Sequence, residues 1–170
     1  MPVTRELLKP VKTSFIIFSF IVALLFNLIP FPFSHGNLFV LPDLVALLLL
    51  YWGMHQPRKV GVGTAFWLGL ALDIADANVF GQHSLAYCLT TYVVASRRRQ
   101  LAVFPLWQQA LYMLGLLLLN QFIMQLVRKI LGAPFIGWGY FVGCFIAALL
   151  WPLITRLLQH PQRKESPSEL

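Results

Sequence analysis

The chain has 170 residues, of which 58% are hydrophobic and only 11% charged, far below the roughly 25% charged residues of an ordinary soluble domain. Mean hydropathy is +0.72, and the charges stand almost entirely between long apolar runs, the pattern of a polytopic membrane protein. The formal charge of +7 is spread over short clusters between those runs, not along an amphipathic stripe, which argues against nucleic acid as a partner.

Six apolar runs follow in order: Ser14–Phe33, Leu38–Met54, Gly61–Phe80, Gln82–Ser96, Phe104–Val127 and Phe135–Leu158. A span needs about 20 apolar residues; the fourth run is short, and Asp73 and Asp76 interrupt the third. The expected architecture is an all-α bundle of six membrane spans at 14–158, with a cytoplasmic segment at 1–13 and a disordered cytoplasmic tail at 159–170. The first run follows Arg5, Lys9 and Lys12. It is too long for a signal peptide and has no A-x-A cleavage site, so it reads as a retained span. The breaks "PFPFSHGN", "HQPRK", "SRRRQ" and "LGAPFIG" carry turn or charged residues.

Six spans put both termini on one side, together with Arg5, Lys9, Lys12, Arg58, Lys59, Arg97, Arg98, Arg99, Arg156, Arg163 and Lys164, leaving only Arg128 and Lys129 opposite. The positive-inside rule makes the crowded side cytoplasmic, with Arg97, Arg98 and Arg99 as a basic turn facing acidic lipid or protein, or serving orientation alone. Trp52, Trp107, Trp138 and Trp151 lie near run ends, where an indole suits the interface. Cys88 and Cys144 read as packing residues, with no metal-ligand spacing around them.

The third run holds Gly61, Ala65, Gly69, Asp73, Ala77 and Gly81 at four-residue spacing, a face of small residues with one carboxylate set into it. Gly139, Gly143 and Ala147 repeat the theme in the sixth. Two readings are open: packing inside the bundle, or a dock for a partner helix. Asp73 lies about 20 Å along its run at 1.5 Å per residue, level with Asn27 and Asn120 and close to Thr90 and Thr91. A charge at mid-membrane costs about 2.5–3.5 kcal/mol on insertion scales. The expectation is therefore an interior polar cluster of Asp73, Asn27, Asn120, Thr90 and Thr91, which either fixes helix register or has a function of its own. Pro42 and Asp43 open the second run as a span-start cap, and Pro152 is expected to kink the sixth.

No phosphate loop, serine-protease motif or aspartyl-protease GxGD occurs, and the histidines lack ligand spacing. The chain reads as a non-enzyme, with no catalytic residues, no cofactor and no metal. The order "LPDLVALLLLYW", "HQPRKVGVGTAFWLGLALDIADANVFGQHSL" and "LWQQAL" resembles the rod shape-determining protein MreD family of bacteria. The likeness runs from Pro42 to Pro152, through Pro57, Gly61–Gly63, Gly69–Leu70, Asp73, Gly81 and Trp107–Gln109. It implies an inner-membrane subunit of the elongation machinery for lateral peptidoglycan. It also implies action with MreC, with MreB, and with RodA and its paired transpeptidase. The implied fold is a compact six-helix bundle similar to substrate-binding subunits of energy-coupling-factor transporters. A vitamin-like binding subunit of a transporter is the alternative. Such subunits often dock through an A-x-x-x-A face in the first span; this chain departs from that, with only Ser19 and Ala23 four apart.

Overall fold

A computed structural model describes residues 11–28, 42–75, 80–133 and 139–159. These form six helices: α1 (Thr13–Leu28), α2 (Leu44–His55), α3 (Val62–Ala75), α4 (Gln82–Leu101), α5 (Leu106–Ile130) and α6 (Gly139–Gln159). Of these, Leu106–Ile130 and Phe141–Gln159 are long and apolar enough to cross a membrane; α1, α2 and α3 are shorter apolar helices.

The second helix is the centre. A helix apolar all round can face either lipid or protein; here it faces protein, with every residue from Val45 to Met54 buried. It contacts α1, α4, α5 and α6, while α3, α4 and α5 each pack on the next helix in sequence. Gly53 sets the α2–α4 approach: a Cβ there would stand 3.1 Å from Val94 Cγ1 and 3.6 Å from Thr91 Cγ2. The turn into α5 is clamped by Gln109, whose Nε2 donates to the carbonyls of Leu101 (3.1 Å) and Phe104 (3.0 Å).

The packing corrects two expectations. Trp52 and Trp151 are fully buried, not interfacial. Trp52 belongs to the enclosed helix and donates its Nε1–H to Ser19 Oγ at 3.0 Å, and Tyr51 packs edge-on against both indoles. Trp107 is exposed, and Trp138 lies outside the described residues. Arg97, Arg98 and Arg99 do not form a turn, because α4 continues to Leu101 and the break comes at residues 102–105. Polar residues end a hydropathic run without ending the helix. The segments 1–10 and 160–170 also lie outside the described residues.

Candidate functional site: two carboxylates that tie four helices

The first four N–H groups of a helix have no partner within it and need acceptors. Helix α4 starts badly in this respect, since its N-cap is Gly81, in the left-handed region (φ 91°) and without a side chain to accept them. Asp73 supplies the acceptor from α3. Its Oδ2 accepts from the Gly81 amide (2.9 Å), the Ser84 amide (3.3 Å) and Ser84 Oγ (3.3 Å). Its Oδ1 accepts from the His83 amide (3.0 Å) and lies 2.8 Å from His83 Nδ1. A carboxylate offers about four lone-pair sites, so these five contacts saturate it. The positive end of α4 adds a favourable field.

One turn earlier, Gly69 lets the two helices meet. A Cβ there would stand 2.5 Å from both N and Cα of Ser84 and 2.7 Å from the His83 carbonyl carbon. Gly69 removes the obstruction, Asp73 takes the amides so exposed, and Ser84 Oγ also reaches the Phe66 carbonyl at 3.3 Å. The G-x-x-x-D spacing is a seat for the start of the following helix.

Asp43 forms the second hub. It is the N-cap of α2, accepting from the Ala46 amide at 3.0 Å, with Pro42 just before it. The same carboxylate accepts from Asn27 Nδ2 of α1 (3.2 Å) and from the Tyr87 hydroxyl of α4 (2.6 Å). Tyr87 also packs edge-on against His83, ring centroids 5.7 Å apart. The run Asn27–Asp43–Tyr87–His83–Asp73 thus ties α1, α2, α3 and α4 together.

The expected cluster around Asp73 is therefore redrawn. Asn27 belongs to Asp43, and no hydrogen bond joins Asp73 to Asn120, Thr90 or Thr91. Thr90 Oγ1 donates back to the carbonyls of its own helix, Ala86 at 2.9 Å and Tyr87 at 3.3 Å. Asn120 and Thr91 are buried with no partner for their polar side-chain atoms among the described residues. Depth along a run equates these residues, but azimuth separates them: a carboxylate next to five backbone and side-chain donors of one helix start has no reason to reach across the bundle.

The small-residue stripes also resolve into positions. Ala65 and Gly69 are buried, Gly81 caps α4, and Gly61 lies just before α3. Gly143 and Ala147 are buried, Gly139 opens α6, and Ala77 lies outside the described residues. What faces outward on α3 is large and apolar instead, with Val62, Phe66, Trp67 and Ile74 exposed.

His83, Ser84 and Tyr87 were not singled out by sequence reasoning. A signal existed for the first two: "GQHS" opens a helix without a capping side chain, shortly after an aspartate set in an apolar run. Nothing in the order of residues pairs Tyr87 with Asp43. Among the described residues no group of three or more His, Cys, Asp or Glu side chains is arranged to hold a metal ion.

Compared with known proteins, residues 9–160 match the family profile of the rod shape-determining protein MreD. The rod shape-determining protein MreD of Haemophilus influenzae (strain ATCC 51907 / DSM 11121 / KW20 / Rd) is 31% identical over 145 residues, 85% of this chain and 88% of that protein. The chain belongs to the MreD family. Its match covers both hubs, from Asn27 in α1 to His83 in α4. No solved structure matches the chain.

Proposed function

We propose that this MreD-family chain is a non-enzymatic, multi-pass subunit of the bacterial inner membrane. It has six spans and both termini in the cytoplasm, and supports cell-shape maintenance and lateral peptidoglycan synthesis by binding MreC and the associated synthases. The observation that carries this is the family match over residues 9–160. The character of the buried polar residues supports a scaffold. Both carboxylates are occupied by donors of the same chain, so they hold helices in register rather than offer a reactive group. The exposed apolar side chains of α1 (Ile17, Phe18, Ile21, Leu25) and α6 (Phe145, Leu149, Leu153, Leu157) suit lipid or a partner helix.

The transporter-subunit reading, which the first span already departs from in lacking an A-x-x-x-A face, gains no support from α1. Ala23 is buried, and Ser19 accepts the hydrogen bond of Trp52 from the central helix, so the Ser19–Ala23 face is turned inward. The test is co-purification of the tagged full chain with MreC from solubilised membranes, together with depletion in a rod-shaped host. Retention of MreC and rounding of depleted cells are expected. Rod shape maintained on depletion, or a stoichiometric bound vitamin without MreC, overturns the proposal.

A further inference from the structure

The last turns of α5 carry a buried charge that the two carboxylate hubs do not reach. Arg128 is 7% exposed. Its Nη1 donates to Gln82 Oε1 at 3.4 Å, a long contact to a neutral carbonyl, and its Nε has no partner among the described residues. Among the described residues no carboxylate lies within ion-pair distance of it, the one such pair there being His83–Asp73. The C-terminal carbonyls of α5 contribute only a partial negative charge. Guanidinium is the side chain best fitted by shape to a tetrahedral oxyanion, through two parallel N–H donors.

The surroundings extend this. Gln121, Gln125 and Arg128 recur at four- and three-residue spacing on α5, which lines them up along one stripe. Both glutamines are at least nine-tenths buried, and each has an Oε1 without a partner among the described residues. Gln82, also buried, is the first residue of α4. A cation thus stands beside amide groups that can turn either their N–H or their C=O to a ligand. That donor set asks for an anion with hydroxyl or ester oxygens, the chemistry of a phosphate group.

We propose that Arg128, with Gln82, Gln121 and Gln125, forms a binding site for a phosphate-type oxyanion between the start of α4 and the end of α5. The phosphate is that of an anionic phospholipid headgroup or of a soluble phosphate. The site does not depend on the cell-shape reading, because it is tested on the purified full chain without partners.

The experiment measures thermal unfolding in neutral detergent while titrating phosphatidylglycerol in one arm and inorganic pyrophosphate in the other. A saturable rise in Tm is expected in at least one arm. Response to the lipid alone assigns a headgroup, and response to pyrophosphate assigns a soluble ligand. Arg128→Gln is expected to weaken apparent affinity by about tenfold or more, the loss of a charge-assisted bond, while Lys129→Gln, at an exposed neighbour, leaves it unchanged. Arg128→Gln is also expected to match or exceed the unliganded wild type in Tm, because it removes an uncompensated charge; a purely structural arginine gives a lower Tm. Should Arg128→Gln not yield folded protein, Gln125→Leu takes its place and is expected to weaken binding severalfold. No response of the wild type in either arm, or an equal response in wild type and variant, overturns the proposal.

Discussion

Replacing Asp73 by leucine keeps the branching of the side chain and removes every acceptor from the start of α4. Three backbone amides, of Gly81, His83 and Ser84, then lose their oxygen. A stranded buried donor costs about 1–3 kcal/mol; with two of the three fully felt, the sum is about 2–6 kcal/mol. At about 2–4 °C per kcal/mol for a chain of this size, the middle of that range is a fall of about 8–16 °C in Tm, read by scanning fluorimetry of the purified protein in detergent. Asp73→Asn keeps one acceptor oxygen and turns an NH₂ toward N–H donors, so it is expected to fall between wild type and Asp73→Leu. Gly69→Ala attacks the same joint from the other side. Its Cβ begins 2.5 Å from Ser84 N and needs about 3.4 Å, so α4 must withdraw by about 0.9 Å. That carries the 2.8–3.3 Å contacts to Asp73 toward or beyond hydrogen-bond range. The two substitutions should therefore be non-additive, the double variant being less destabilised than the sum by about 0.5–3 kcal/mol. A loss below about 1 kcal/mol for Asp73→Leu, or strict additivity with Gly69→Ala, would refute the seat at the α3–α4 joint.

Tyr87→Phe removes the 2.6 Å hydroxyl bond to Asp43 without changing the ring. A destabilisation of about 1.5–3 kcal/mol is expected, the range for a bond to a charged group, read as a lower Tm. Ser19→Ala leaves the buried Trp52 Nε1–H without an acceptor and is expected to cost about 1–3 kcal/mol by the same assay. Gly53→Ala should cost less than Gly69→Ala, below about 1.5 kcal/mol, because its obstruction is a Val94 methyl rather than backbone. In a background with Cys88 and Cys144 replaced, single cysteines at Arg99 and Lys129 are expected to label from opposite sides of the membrane. Labelling from the same side would contradict the six-span reading.

Composition, run length and the placement of Lys and Arg pointed to a helical chain with six elements in this order, because an apolar run of about 20 residues has few alternatives once water is scarce and the basic clusters fall on one side only with six spans. The local chemistry at Asp43 was equally legible: proline then aspartate before an apolar run is a helix start, and the cap lies three residues away along the same chain. The family resemblance could also be read directly from spaced residues. Azimuth could not be read. Counting along a helix gives depth but leaves rotation about the axis undetermined, and polar residues at one level were grouped as one cluster when the fold distributes them among separate partners. Which run becomes the enclosed centre was likewise undecided by hydropathy, since α2 and its neighbours are all apolar. Only packing buries Trp52 and Trp151 and presents Trp67 and Trp107 outward. The reason is physical: hydrophobicity is a property of residues and can be summed along a sequence, whereas a hydrogen bond needs two groups within about 3 Å. Partners as far apart as residues 43 and 87, or 82 and 128, are chosen by how helices pack.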